Sequence, residues 1–390
     1  MNYNEQLLKI NEAGLMRKLK AVEPLEDASC YFQGQKMLNL ASNDYLGLAT
    51  DEALKQAFIQ QFESNEAWLS FGASSSRLLT GNNKLYDEVE ELLRTNYKAE
   101  AALFFNSGYH ANMGILPALT DKGDLILSDK LCHASIIDGI RLSKADHQRF
   151  RHLDYDQLNA LLEKKRSHYN RVFIVVESVF SMDGDLVDLH GLIALKEKYN
   201  CLLYVDEAHA VGVLGETGLG LCEQENVTEQ IDLLVGTMGK AYASVGAFAI
   251  MNHSLKELLV NKARTLIYTT ALPPVNMAWT KFIIERMPEM SSNRDQLNKL
   301  YAYMQKALAA KGYKVHRSHI MPVMAGANKV AVQLSEHLRK EGFLVFPIRP
   351  PTVPANTARL RLSLTADLQL NDLERLMRFI PDNKKQSNEM

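Results

Sequence analysis

The segment Cys201-Leu202-Leu203-Tyr204-Val205-Asp206-Glu207-Ala208-His209 joins an unbroken apolar run to an acidic tail that ends in histidine. A short run without polar alternation is the pattern of a strand covered on both faces. A carboxylate at the mouth of such a strand is expensive unless something pairs with it. The apolar pattern recurs at residues 101–105, 124–127, 172–176, 233–235 and 247–251, with helical stretches between. The alternation predicts an α/β fold with a mainly parallel sheet and helices on both faces. Ligands bind beyond the carboxyl ends of such strands, which makes the residues after each run the candidates for a site. They are Asn106-Ser107-Gly108-Tyr109-His110, residues 128–133, residues 177–185, Asp206 to His209, and Gly236-Thr237-Met238-Gly239-Lys240.

Outward from this centre the pattern changes. Beyond about residue 285 it predicts a smaller α+β domain over 286–390, with strands at 312–315, 343–348 and 359–364, a helix near 329–342, a final helix and a frayed polar tail at 381–390. Residues 49–285 form the expected large domain, and 1–48 an N-terminal arm. Leu8, Leu15 and Leu19 give that arm an amphipathic helical spacing, suited to packing on the body or on a partner subunit. Asn82 or Asn83 is placed to cap a helix with Leu85, Val89, Leu92 and Leu93 on its apolar face.

The chain of 390 residues carries 44 basic and 46 acidic side chains, a formal net charge of −2. That balance offers no basic footprint to a nucleic-acid backbone. The clusters Lys164-Lys165-Arg166 and Arg149-Phe150-Arg151 read as solvated helix faces. Cys30, Cys132, Cys201 and Cys222 form no CxxC pair, so neither a metal site nor a disulfide framework is expected. The charged first segment lacks a signal-peptide core, and no apolar run approaches the roughly 20 residues of a membrane helix. A cytoplasmic protein without membrane or nucleic-acid partners is the expectation.

Val205-Asp206-Glu207-Ala208-His209 has the letters of a helicase motif, but that chemistry needs a GxxxxGK[ST] phosphate loop. Gly236-Thr237-Met238-Gly239-Lys240-Ala241 has the wrong glycine spacing, Ala241 in place of the hydroxyl, and the wrong order. The same pieces suit another chemistry. A lysine on a small-residue turn after a strand can form a Schiff base with pyridoxal phosphate in a site dry enough to lower its pKa. Lys240, between Gly239 and Ala241, qualifies, although a turn lysine by itself is ordinarily solvated. Asp206 suits the pyridine nitrogen or, more plainly, a helix cap. His209 reaches towards a ring oxygen or is a structural histidine. Ser107-Gly108-Tyr109 opens a helix where backbone N–H groups can hold phosphate, and His133 can lie on the ring face. Arg359 and Arg361 share one face of a strand, where arginine forks onto a carboxylate or makes a structural ion pair.

As a set, Ser42-Asn43-Asp44-Tyr45-Leu46-Gly47-Leu48, Asn106-Ser107-Gly108-Tyr109-His110-Ala111-Asn112, Phe180-Ser181-Met182-Asp183-Gly184-Asp185, Asp206-Glu207-Ala208-His209, Gly236-Thr237-x-Gly239-Lys240 and Arg349-Pro350-Pro351-Thr352-Val353-Pro354 resemble the α-oxoamine synthases, fold type I pyridoxal-phosphate enzymes. The resemblance spans about residues 15–380. It implies Lys240 as Schiff-base lysine and proton shuttle, Asp206 on the pyridinium nitrogen, and His209 with Ser181 on the phenolic oxygen. It also implies His133 stacked on the ring, and Gly108, Tyr109 and Thr237 on the phosphate. Asn43 and Arg361 would bind the amino-acid carboxylate, with Arg17 and Thr352 on the acyl substrate. The Pro350 to Pro354 and Thr357 to Leu362 motifs are most similar to the branch that condenses L-alanine with pimeloyl-CoA or pimeloyl-acyl-carrier protein. Sibling branches use glycine or serine with another acyl group. The family is homodimeric, so Thr269-Thr270 would serve the neighbouring subunit's phosphate. One departure is Gly72-Ala73-Ser74-Ser75-Ser76-Arg77, where relatives carry a glycine pair. Serine tolerates fewer backbone conformations than glycine.

Overall fold

The computed structural model describes residues 2–62, 68 and 70–383. It divides into two compact units, one of Asp51–Phe180 and Leu186–Ser292, the other of Met1–Thr50, Ser181–Asp185 and Asn293–Met390. Each has its own sheet system.

The first unit, called central below, is built on seven strands: β1 (Ala101–Phe105), β2 (Leu125–Asp129), β3 (Asp146–Phe150), β4 (Val172–Glu177), β5 (Leu202–Asp206), β6 (Leu233–Thr237) and β7 (Ala247–Met251). Their spatial order is β1-β7-β6-β5-β4-β2-β3. β7 runs antiparallel to both of its neighbours, and the other pairings are parallel. Helices cover both sides. Every residue of β1, β2, β4, β6 and β7 is buried, as continuous apolar runs require. Leu103, Ile126, Phe173, Tyr204 and Val235 meet helical Ile115 and Ile136 in one core cluster. The parallel register sets Glu177 beside Asp206, and Asp206 beside Val235, so β4 and β5 end together and β6 runs two residues further, to Thr237.

β3 is the strand that the apolar runs did not announce. It is the sheet edge, and four of its five residues are at least partly exposed. Arg149 and Phe150 therefore lie on an edge strand and not on a helix face, whereas Lys164 and Lys165 do end a helix, Tyr155–Lys165. Asn83 is the helix cap, accepting the Leu85 N–H at 3.0 Å, and Leu85, Val89 and Leu93 are buried.

The second unit, called C-terminal below, contains a four-stranded sheet in which Phe343–Leu344 runs parallel to Gln35–Asn39. It also contains a three-stranded antiparallel sheet of Ile320–Gly326, Ala358–Ser363 and Pro347–Ile348. The segment expected as an arm thus supplies strands Ser29–Phe32 and Gln35–Asn39 to this unit. The N-terminal helix is Tyr3–Glu12 and buries no residue, so Leu15 and Leu19 fall outside it. Residues 312–315 form no strand; the strand beside Ala358–Ser363 is Ile320–Gly326, a few residues further on. Of the expected tail, residues 384–390 lie outside the described residues.

The serine-rich loop ends on an ion-pair cluster. Ser74 sits at φ +56°, the left-handed region that glycine enters freely. Arg77 then reaches Glu90 at 2.7 Å and the Phe104 carbonyl at 2.9 Å. Glu90, only 6% exposed, also accepts the Phe104 N–H at 2.9 Å and Lys256 at 2.8 Å. Removing this carboxylate strands two cations and a strand N–H. Glu90→Ala is therefore expected to lower unfolding stability by about 3 kcal/mol, read from the midpoint shift in urea, with Glu90→Gln costing less.

Candidate active site

The carboxyl ends of the neighbouring strands β5 and β6, with the turns that follow, carry the acid, the histidine and the lysine. Asp206 is the last residue of β5 and is 4% exposed. Its Oδ1 accepts the Ala208 N–H at 2.9 Å, and its Oδ2 accepts Asn112 Nδ2 at 2.7 Å. The turn beyond it bears His209, whose Nε2 lies 2.8 Å from Lys240 Nζ. Lys240 stands in the turn after β6, which closes through Met238 N–H to the Gly246 carbonyl at 2.9 Å and Ala243 N–H to the Lys240 carbonyl at 2.9 Å. The structure thus brings Lys240 and His209 into contact.

The end of β1 leads into helix Gly108–Leu119, capped by Ser107, whose Oγ accepts the His110 N–H at 3.2 Å. The first N–H groups of a helix have no partner within it. A side chain built on Gly108 would lie 3.8 Å from Thr237 Oγ1, and the Gly239 N–H points at that same oxygen from 3.4 Å. Gly108, Thr237 and Gly239 therefore surround one small space, a cradle for an anion. Tyr109 follows, with its hydroxyl on Asp138.

His133 caps helix Ala134–Leu142. Its backbone N–H donates to Glu177, and its Nδ1 faces Ser135 Oγ at 2.8 Å. Burial lowers the His133 pKa; the Asp206 charge opposes this and the Lys240 charge adds to it. Asn112, Ser135, Tyr204 and Glu177 were not singled out by sequence. Asn112 lay inside a quoted motif, but its partner Asp206 is 94 residues away, and no local pattern announces that pairing.

In the C-terminal unit, Arg361 lies on Ala358–Ser363, 8% exposed. It donates to the Ser181 carbonyl at 2.5 Å, Asn43 Oδ1 at 2.9 Å and Tyr45 Oη at 3.1 Å, and also to Ser363. The expected pair Asn43 and Arg361 is thus in contact, and Ser181 belongs to the same unit. Arg359, on the same strand face, makes the structural alternative, an ion pair with Asp183. Arg17 Nη2 donates to Thr352 Oγ1 at 2.9 Å. Both line a groove of about 740 Å³ whose apolar lining includes Leu15, Phe346 and Ile348. Arg17, Lys18, Lys20, Arg339 and Arg349 line it against one carboxylate, Glu336. The crowding is visible at Lys20, whose pKa is lowered by burial and by the Arg339 and Arg349 charges, with Glu336 opposing.

A buried acceptor-only acid, an amine on a histidine and an N–H cradle fit the nitrogen, aldehyde and phosphate of pyridoxal phosphate. The family model for class I and II aminotransferases matches residues 35–380. The chain belongs to that family, and within it to the acyl-transferring α-oxoamine synthases, enzymes dependent on pyridoxal phosphate. A protein of Neisseria meningitidis serogroup C called "Putative 8-amino-7-oxononanoate synthase" is 50% identical over 383 residues, 96% of this chain and 98% of its own. One of the same name from Haemophilus influenzae is 52% identical over 349 residues, 87% of this chain and 90% of its own. Among solved structures, serine palmitoyltransferase of S. paucimobilis with a bound PLP–myriocin aldimine matches at TM-score 0.88 and 29% identity, covering 97% of this chain and 95% of that one. The 8-amino-7-oxononanoate synthase of Francisella tularensis matches at TM-score 0.77 and 28% identity, covering 91% and 99%. Among the described residues no helix is long and apolar enough to cross a membrane.

A ligand that binds only the folded state stabilises it by mass action. Stripping pyridoxal phosphate is expected to lower unfolding stability by about 2.7 kcal/mol relative to protein held at a hundredfold excess over Kd. Calorimetric melting of the two forms measures the difference, and re-addition restores it.

Proposed function

We propose that this enzyme condenses L-alanine with a pimeloyl thioester, carried on coenzyme A or an acyl-carrier protein, to give 8-amino-7-oxononanoate, carbon dioxide and free thiol, a step of biotin synthesis. The groove beside Arg17 and Thr352 carries this reading. A pimeloyl chain is apolar along its length and ends in a carboxylate, and the groove joins an apolar lining to five cations. An acetyl group would leave that space empty, and a long uncharged acyl chain would leave the cations unmatched. The sibling that joins glycine to an acetyl thioester is the alternative.

Bound pyridoxal phosphate supplies an electron sink that makes the Cα–H of the amino acid acidic. Lys240, as the free amine, takes that proton and later returns one. His209 orients the Lys240 nitrogen at 2.8 Å. Asp206 holds the pyridine nitrogen protonated, and His133 covers the ring face. Gly108, Tyr109 and Thr237 hold the phosphate, while Ser181 and His209 meet the phenolic oxygen. Arg361 and Asn43 bind the alanine carboxylate, and Arg17 with Thr352 the far carboxylate of the acyl chain. A new C–C bond joins the alanine Cα to the acyl carbon as the thiol leaves, and the alanine carboxyl departs as carbon dioxide. The working form is a cytoplasmic homodimer. Thr270, whose carbonyl accepts Asn106 Nδ2 at 2.6 Å within its own chain, carries an exposed side chain suited to the neighbour's phosphate.

The deciding measurement is thiol release with alanine, glycine and serine crossed against acetyl, pimeloyl and palmitoyl thioesters. Alanine with pimeloyl-CoA is expected to be fastest; a faster glycine–acetyl reaction would overturn the reading. Lys240→Ala should abolish turnover and the borohydride-stable label that marks the wild-type lysine. Arg17→Ala should raise KM for pimeloyl-CoA by about ten- to a hundredfold, the worth of one charge-assisted hydrogen bond, with little change for the uncharged heptanoyl-CoA.

A further inference from the structure

Three buried side chains of the central unit that the mechanism above does not use, Asn112, Ser135 and Tyr204, connect Asp206 to His133 in one hydrogen-bonded chain. Asn112 Nδ2 lies 2.7 Å from Asp206 Oδ2 and 2.9 Å from Ser135 Oγ, and Asn112 Oδ1 meets the Tyr204 hydroxyl. Ser135 Oγ in turn lies 2.8 Å from His133 Nδ1. Asn112, Ser135 and Tyr204 are at most 2% exposed. We infer that Asn112 is a positioning residue that holds the Asp206 carboxylate and, through Ser135, keeps the ring proton of His133 on Nε2 rather than Nδ1.

Donor and acceptor counting, together with one backbone N–H that can only donate, orients the chain. A carboxylate only accepts, so the Asn112 atom facing Asp206 is its NH2 group, and the amide cannot be reversed. Its oxygen then faces Tyr204, whose hydroxyl donates. The second amide proton goes to Ser135 Oγ, which keeps its own proton to donate to His133 Nδ1. The Ser135 N–H points at the same nitrogen from 3.2 Å. Two donors converge on Nδ1, so it carries no proton, and the neutral ring holds its proton on Nε2.

Packing makes this reach possible. Ser135 and Gly139 lie one turn apart on helix Ala134–Leu142. A Cβ on Gly139 would stand 2.3 Å from the Asn112 carbonyl oxygen, so the two helices touch where no side chain fits. Helix Gly108–Leu119 thereby bears the anion cradle at its first turn and Asn112 one turn further on. The consequence is electrostatic. A neutral imidazole on the face of a protonated pyridine avoids setting a second cation against it. One amide thus sets both the acid at the ring nitrogen and the charge on the ring face.

This inference rests on the assignment of Asp206 and His133 to the cofactor ring, and its test separates the two. Imidazole nitrogen spectra of [15N]histidine-labelled protein, with and without pyridoxal phosphate, report the tautomer directly, and His133→Gln identifies the signal. The wild type is expected to show an unprotonated Nδ1. Ser135→Ala and Asn112→Ala should shift the signal to a mixture, and Ser135→Thr, which keeps the hydroxyl, should restore it. Asn112→Ala should weaken cofactor binding about tenfold, the cost of a buried carboxylate losing a partner, while Ser135→Ala weakens it less than about threefold. A protonated Nδ1 in the wild type, or a tautomer unchanged in both alanine variants, would overturn the inference. Should Asn112→Ala not fold, Ser135→Ala alone decides. Wild-type protein that binds no cofactor would sink the ring assignment, while the cofactor-free spectra still decide the tautomer.

Discussion

A buried carboxylate without a neighbouring cation is an unstable proposition in a protein interior, and Asp206 is held there by amides. Ala208 N–H and Asn112 Nδ2 occupy its two oxygens, so the carboxylate is oriented and partly compensated before any ligand arrives. That arrangement requires the end of β5 to lie against the first turns of helix Gly108–Leu119, and hence β1, β5, β6 and the helices over them to be in place. The antiparallel β7, wedged between β1 and β6, keeps those two strand ends apart while holding both in one sheet.

The C-terminal unit solves a similar problem with the opposite charge. Arg361 is nearly buried, and its fork is satisfied by a carbonyl, an amide and two hydroxyls rather than by a carboxylate. Its positive charge is therefore not neutralised by those partners. Arg359, two residues earlier on the same face, is already matched by Asp183. Two arginines on one strand face thus differ in what stands opposite each: a carboxylate for Arg359, and uncharged acceptors for Arg361.

Legibility followed burial. The runs at 101–105 and 247–251 match β1 and β7 residue for residue, because a strand covered on both faces has no reason to alternate. β3 was missed because an edge strand is wetted and reads as polar, and Ile320–Gly326 because the segment before it drew the strand assignment. The Leu8–Leu15–Leu19 spacing misled because periodicity reports a helix only where a face is buried, and Tyr3–Glu12 buries none. Ser74 holds the left-handed conformation that favours glycine, so the turn forms with serine there.

The sequence by itself determined the buried strands of the central sheet, the candidate residues at their ends and the family to which the chain belongs. These are local properties: a run of apolar residues, a turn of small ones, a motif in order. Only the tertiary structure decided what those residues touch. Lys240 against His209, Asn43 against Arg361, and Asn112 linking Asp206 to Ser135 and so to His133 are pairings across long stretches of chain. Donors and acceptors find one another there because pairing of strands and close packing of elements bring distant segments together, and neither condition is written in any single segment.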